Sequence, residues 1–364
     1  FRRVLFRSPT TRTDWGDPAL EAAQAVPPTD GPLVLHMLPE EMPVEIDEAR
    51  AAGRRVYGYT VWELEELQPA WAPILNRLDG VMVPCSWNVE VFAAGGVEVP
   101  LHQVPHVAEP LLEPAPADRE ALRRRIDDGL VGRRPAPDAA VIYTIGISQV
   151  RKGIDQAVEA YLRAFAGRDD VLLVVKTGRS DLTVPWTHTW GRRRWRIHHR
   201  KRRFVDPRVS LAARAAQHPD TPPLAVIADE GLGAGELAAL HELGDCYLSL
   251  TRTEGWGLGA FEAALRGVPV VMTGYGGQLD FLDPDLARLV DHTMIPAVEP
   301  AWPLAVLPET TWAQADLEHA GVLLHEVVSD LPAARRQADE LAARLAERYA
   351  PERIAHLIEQ AVQP

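Results

Sequence analysis

The chain has 364 residues, 46% hydrophobic and 24% charged, which is ordinary for a globular protein and provides apolar material for two cores. Its 38 Lys and Arg against 51 Asp and Glu leave a net charge of −13, which excludes a chain-wide nucleic-acid-binding surface. No apolar run reaches the ~18 residues a membrane-spanning helix needs. No secretory signal is visible, so a cytoplasmic protein is expected. Cys85 and Cys246 flank apolar, strand-like residues and read as buried thiols.

In chain order, residues 1–8 lack a starting Met and read as a truncation scar or read-through, with a basic strand as the alternative. Strands are predicted over 33–37, 54–60, 80–84 and 101–105. Residues 64–78 look helical but are broken by Pro69 and Pro73. Ser86 is placed to cap a helix over 87–94. Strands alternating with helices argue for a parallel sheet. Only about 105 residues precede a proline- and arginine-rich connection, 109–139, that holds one short helix. A second α/β series follows: strands 141–145, 171–176, 224–227, 246–250, 268–272 and 287–290, with helices 153–165, 206–217 and 235–243. From about 311 the tail reads as helical, broken at Pro332 and Pro351. The expected domains are 1–108, 140–345 after the linker, and a last helix, 346–364, packing back on the first domain.

Glycine features fall at the carboxyl ends of three predicted strands: Gly146, then Gly255/Gly257/Gly259, then Gly274/Gly276/Gly277. In open parallel sheets, ligands bind outside those ends. Lys152 opens the helix after the first loop. Glu254 and Glu262 bracket the second. A lysine converging with a glycine-lined helix N-terminus suits a diphosphate, because both supply positive potential.

Thr253-Glu254-Gly255-Trp256-Gly257-Leu258 through Glu262, then Gly267-Val268-Pro269-Val270-Val271, resembles the E-x7-E signature of retaining group 1 glycosyltransferases of the sucrose-synthase and mannosyltransferase type. Gly146 to Gly153 resembles their G-R-x(n)-K-G element, and Gly276-Gly277 with Asp280 their G-G-x-x-E loop. The resemblance implies a GT-B fold: two Rossmann-like, doubly wound parallel-sheet domains facing a cleft, with the N-terminal one incomplete. It implies a nucleotide diphosphate sugar as donor substrate, no separate cofactor and no metal. Glu254 would hold the donor sugar, Lys152 would neutralise the diphosphate, and Gly257 and Leu258 would cradle phosphate through backbone N–H groups. Glu262 would bind the ribose. Gly146, Arg151, Gly255 and Trp256 complete the expected donor wall.

The sequence departs from that pattern in places. Ile147 stands where the family has a diphosphate-binding Arg; Arg151 is the nearest replacement, though its neighbour Lys152 argues that it points elsewhere. Trp62 occupies the place of a cleft His. Glu63 is either an acceptor contact or a solvated helix-start carboxylate. His36 either lines the acceptor side or is structural. The acceptor is a glycan, a lipid-linked sugar or a small molecule. Nothing before residue 33 supplies the family's opening strand and glycine loop, so the chain is expected to begin mid-domain. Residues 186–203, rich in Arg and Lys and interleaved with Trp, read as a solvated insertion or as a contact, through 192–203, with an anionic membrane or acceptor; nucleic acid is not expected. The competing functions are a nucleotide-sugar epimerase of the same fold and an inactive nucleotide-sugar-binding scaffold.

Overall fold

A computed structural model describes residues 31–108, 117–183, 205–229, 231–300 and 306–363. The expectations for residues 1–8 and for the basic stretch 186–203 therefore lie outside the described residues.

Four parallel strands pair in chain order to form the N-terminal sheet: β1 (Leu33–His36), β2 (Val56–Tyr59), β3 (Gly80–Val83) and β4 (Leu101–Gln103). They are linked through α1 (Pro43–Ala51), α2 (Trp71–Leu75) and α3 (Ser86–Ala94). The predicted helix over 64–78 shrinks to α2. Pro69 precedes that helix and Pro73 lies early in it, where missing N–H groups cost little. The cap of α3 falls one residue earlier than predicted: the Cys85 sulfur accepts the N–H of Asn88, and Ser86 is the first helical residue.

The connection is more structured than its composition suggests. It contains α4 (Arg119–Asp128) and β5 (Leu130–Val131), which pairs antiparallel with a strand of the second sheet. That sheet is built from β6 (Ala140–Ile145), α5 (Ile154–Ala164), β7 (Val171–Thr177), α6 (Pro207–Ala215), β8 (Leu224–Ala228) and α7 (Ala234–Leu243). It continues with β9 (Cys246–Ser249), α8 (Leu258–Leu265), β10 (Val270–Thr273) and β11 (Arg288–Val290). The strand order is β11-β10-β9-β6-β7-β8-β5. The chain winds outward from β6 in one direction through β8, then returns to β9 and winds the other way. The order therefore reverses between β6 and β9, the topological switch point where such sheets leave a crevice.

The helical tail predicted from residue 311 begins instead as a strand. β12 (His292–Pro296) and β13 (Thr311–Ala315) form an antiparallel hairpin. Helices α9 (Leu317–Ser329), α10 (Leu331–Arg348) and α11 (Pro351–Ala361) follow, the last two with proline in their first turn.

Alternation along the strands sorts the cores. Ala140 and Ile142 face the helical layer with Ile154, Tyr161 and Leu324, while Val141 and Tyr143 face the opposite layer. That opposite layer is shared by both halves: Val34, Tyr57 and Met82 of the first sheet join Trp256, Phe261, Tyr349 and Ile354. Each fully buried side chain of this size contributes roughly 1.5–3 kcal/mol, so the shared layer is a strong tie between the halves. The Tyr57 hydroxyl donates to the Val362 carbonyl at 3.4 Å and the Ala108 N–H to that of Tyr349 at 2.9 Å, which docks α11 on the first sheet. Cys85 and Cys246 are free buried thiols; burial pushes both up to about 12, so neither is a thiolate at neutral pH.

Candidate active site

The switch point is assembled by two loops, 146–153 after β6 and 250–257 after β9. They touch because Gly153, at φ 62°, presses its α-carbon against the Leu250 carbonyl; an added Cβ there would lie 1.9 Å from that oxygen. The Arg252 N–H then donates to the Arg151 carbonyl at 2.8 Å. This closes the crevice floor and sets Lys152 beside Glu254.

The Lys152 ammonium donates to both oxygens of Glu254, at 2.6 and 2.9 Å. Arg151 reaches the same carboxylate at 3.3 Å and the Thr253 carbonyl at 2.9 Å, and the Thr251 hydroxyl donates to Glu254 Oε1 at 3.3 Å. Glu254 is only 8% exposed. Burial by itself would raise its pKa, but Lys152 and Arg151 outweigh burial and hold the carboxyl below its ordinary value. The site thus contains a buried anion with two cations, of which Lys152 is the more exposed.

Gly257, at φ 93°, turns the chain into α8, so Leu258 opens the helix with its N–H outside the helical ladder. Leu258 is 52% exposed and, one turn on, Glu262 lies partly exposed on the same face. The Gly276–Gly277 loop closes the other side. The Gly277 N–H donates to the Glu254 carbonyl at 2.8 Å, and an added Cβ at Gly277 would meet the Gly255 oxygen at 2.2 Å. Gly146 sits 4.0 Å, by the same measure, from Cβ of Lys152.

Lys152, Glu254, Arg151, Gly146, Gly255, Gly257 and Leu258 therefore converge, with Glu262 farther along α8. Two of the predicted residues do not point into the crevice. The Trp256 indole is buried at 3% exposure against Phe261, Phe281 and Tyr349, with ring centroids 5.0–5.5 Å apart, so only its backbone belongs to the loop. Trp62 packs edge-on against Trp71 at 4.7 Å and donates from its ring nitrogen to the Glu66 carbonyl at 2.7 Å. It is a core residue of the first half, buried with Trp71 and Leu75.

Glu63 is not at a helix start and is only partly solvated. It pairs with Arg151 at 3.1 Å, so Arg151 bridges a carboxylate from each half of the molecule. Glu65 and Glu66 extend that seam: Glu65 accepts from Thr311 at 2.6 and 2.8 Å and from Tyr275 at 3.2 Å, and Glu66 from Thr310 at 2.8 Å. Asp280, in the position of the family's G-G-x-x-E acid, accepts from the Ser86 N–H at 2.8 Å and from Gln103 at 2.6 Å. It is a clasp between the halves. These pairings join residues far apart in sequence, and no local signal marks them. Ile147, which stands where the resembled glycosyltransferases have a diphosphate-binding arginine, is 39% exposed.

The carboxyl ends of β1 and β2 face the same region. His36 is exposed and lies edge-on to Tyr59 at 4.9 Å; His106, which the sequence reading passed over, lies 6.2 Å from Tyr59 and 5.6 Å from Trp256. Burial, aided by His36, pushes His106 down to about 4 from an ordinary 6.5. The folded protein therefore resists a proton that the unfolded chain accepts. Stability linked to His106 is complete above pH 6.5 and is lost as pH falls toward 4. His106→Phe is expected to flatten the fall in melting temperature across that window, and a slope equal to wild type would contradict this reading.

Residues 235–358 match the family model described as "Family 4 Glycosyltransferase in conflict systems". Among solved structures, HepE of Anabaena in complex with UDP and glucose superposes with a TM-score of 0.61 at 13% identity, over 90% of this chain and 77% of HepE. The sucrose-phosphate synthase of Thermosynechococcus elongatus gives 0.62 at 16% identity, over 94% of this chain and 74% of the synthase. The pneumococcal O-GlcNAc transferase GtfA, in complex with UDP and GlcNAc, gives 0.53 at 14% identity, over 91% of this chain and 56% of GtfA. No curated protein sequence matches. At these identities the likeness establishes the fold: two Rossmann-like α/β bodies of the GT-B type.

Proposed function

We propose that this chain transfers a sugar from a nucleotide diphosphate sugar to an acceptor hydroxyl, retaining the anomeric configuration and using no metal. The observation that carries the reading is the ion pair of buried Glu254 with partly exposed Lys152 at the switch point, beside the start of α8. In the transfer, the bond from the anomeric carbon to the diphosphate oxygen breaks, the acceptor oxygen bonds to that carbon, and the acceptor's proton passes to the departing diphosphate oxygen. Negative charge grows on the diphosphate and positive charge on the sugar ring. Lys152 and the N–H groups of Gly257 and Leu258 stabilise the first, and the Glu254 carboxylate the second. Supporting this reading, the matched family is described as a glycosyltransferase, and two of the similar structures, HepE and GtfA, hold UDP with a sugar.

The acceptor, a glycan, lipid-linked sugar or small molecule, would approach from the side of His36, His106 and Glu63. A binding-only scaffold is favoured by one observation, the apolar, exposed Ile147. A thermal-shift screen against UDP-, GDP- and ADP-sugars tests the proposal, since a ligand that binds the folded state alone raises its stability. At least one donor is expected to raise the melting temperature and then to release its nucleoside diphosphate. No shift with any of them would overturn donor binding, and a shift without release would identify the scaffold.

A further inference from the structure

Behind Glu262 lies a buried polar pair that the donor chemistry above does not use. His241, in the last turn of α7, is 1% exposed. Its Nδ1 lies 2.8 Å from the Tyr143 hydroxyl on β6, and its Nε2 lies 3.6 Å from Glu262 Oε2 on α8. That Nε2 is buried and has no hydrogen-bond partner within normal distance.

Proton positions follow from the partners. Tyr143 is fully buried, and His241 is the one hydrogen-bond partner of its hydroxyl among the described residues. The phenol must donate to Nδ1, because accepting there would leave its own O–H buried without a partner. Nδ1 is then the acceptor and Nε2 carries the proton. Glu262 Oε2 lies 3.6 Å from that nitrogen, just beyond hydrogen-bond length.

We propose that His241 is a positioning residue that makes the donor site selective for an intact ribose. With a nucleotide bound, its Nε2–H donates to Glu262 Oε2 and leaves Oε1 to accept from the ribose hydroxyls. Tyr143 fixes the tautomer. The 3.6 Å gap closes when a bound nucleotide draws the carboxylate into register. This rests on the donor-site reading above, and it adds a determinant of which nucleotide the site accepts.

Titration calorimetry with UDP, GDP and ADP and their 2′,3′-dideoxy counterparts tests it. Wild type is expected to prefer the best-bound ribonucleotide over its dideoxy form by about tenfold or more, the scale of a charge-assisted hydrogen bond. In His241→Phe, which keeps a ring but loses Nε2–H, the preference should fall at least threefold while dideoxy affinity stays unchanged. His241→Gln, whose amide nitrogen reaches the place of Nε2, should recover most of it. A role confined to packing would weaken both nucleotides equally; that result, an undiminished preference, or no preference in wild type would overturn the proposal. If His241→Phe does not fold, Tyr143→Phe is read against the same outcomes. Failure of every nucleotide to bind wild type would instead remove the donor site itself, and this inference with it.

Discussion

Replacing Lys152 by Ala, or Glu254 by Gln, should slow release of nucleoside diphosphate from the donor sugar at least tenfold each, more than ~1.4 kcal/mol of barrier. The expectation follows from which charges are fixed in place. Lys152 is held by both oxygens of a carboxylate that is itself almost fully buried. No reorganisation is then needed when charge develops on the leaving group, which is where preorganised electrostatics acts most strongly. Ile147 supplies no second cation, and Arg151 divides its guanidinium between Glu63 and Glu254. Among the described residues, neither Ile147 nor Arg151 is therefore placed to take over from Lys152. Glu254→Gln keeps the shape and removes the charge, so the two variants separate the anion from the cation. Because the residues share one interaction, the double variant should cost clearly less than the product of the two. Near wild-type rates in both single variants would contradict the assignment.

Gly153→Ala should be the most destabilising single-methyl change at the site, at about 2–4 kcal/mol, read by denaturant unfolding. Two costs add there. The backbone sits at φ 62°, which an L side chain adopts reluctantly, and the new Cβ would lie 1.9 Å from Leu250 O and 2.7 Å from Leu250 C. Neither atom belongs to a flexible side chain, so the β6 and β9 loops must separate, and Lys152 moves with them. Gly132→Ala is the control: φ is 80° there, but nothing lies within 4 Å. That variant should cost only the conformational term, roughly 1–2 kcal/mol. Equal losses in the two would show that the loop contact is not what holds the site.

Much of the fold was legible because it follows local rules. β7 reads Val-Leu-Leu-Val-Val, a continuous apolar run that only a strand buried on both faces explains, and it is buried through Val175. The glycine loops announced the crevice for a similar reason: at Gly255 and Gly277 the backbone approaches too closely for a larger residue, and at Gly257 φ is 93°. What escaped was set by partners distant in the chain. β5 is two residues long and exists only through its pairing with β8. The β12–β13 hairpin lacks a tight-turn signal, because its strands are separated by residues 297–310. Trp256 sits inside a motif whose backbone is functional and whose side chain is structural, a distinction that emerges only from its packing. Glu63 is the reverse case: a surface-like carboxylate becomes half of an ion pair once the two halves meet.

In the proposed function, the Lys152–Glu254 pair receives a diphosphate. Calorimetric comparison of a nucleoside diphosphate with its monophosphate, in wild type and in Lys152→Ala, tests it most directly. Wild type is expected to bind the diphosphate at least tenfold more tightly, and Lys152→Ala to lose most of that preference while keeping its affinity for the monophosphate. A preference that survives the loss of Lys152, or none in wild type, would contradict the account.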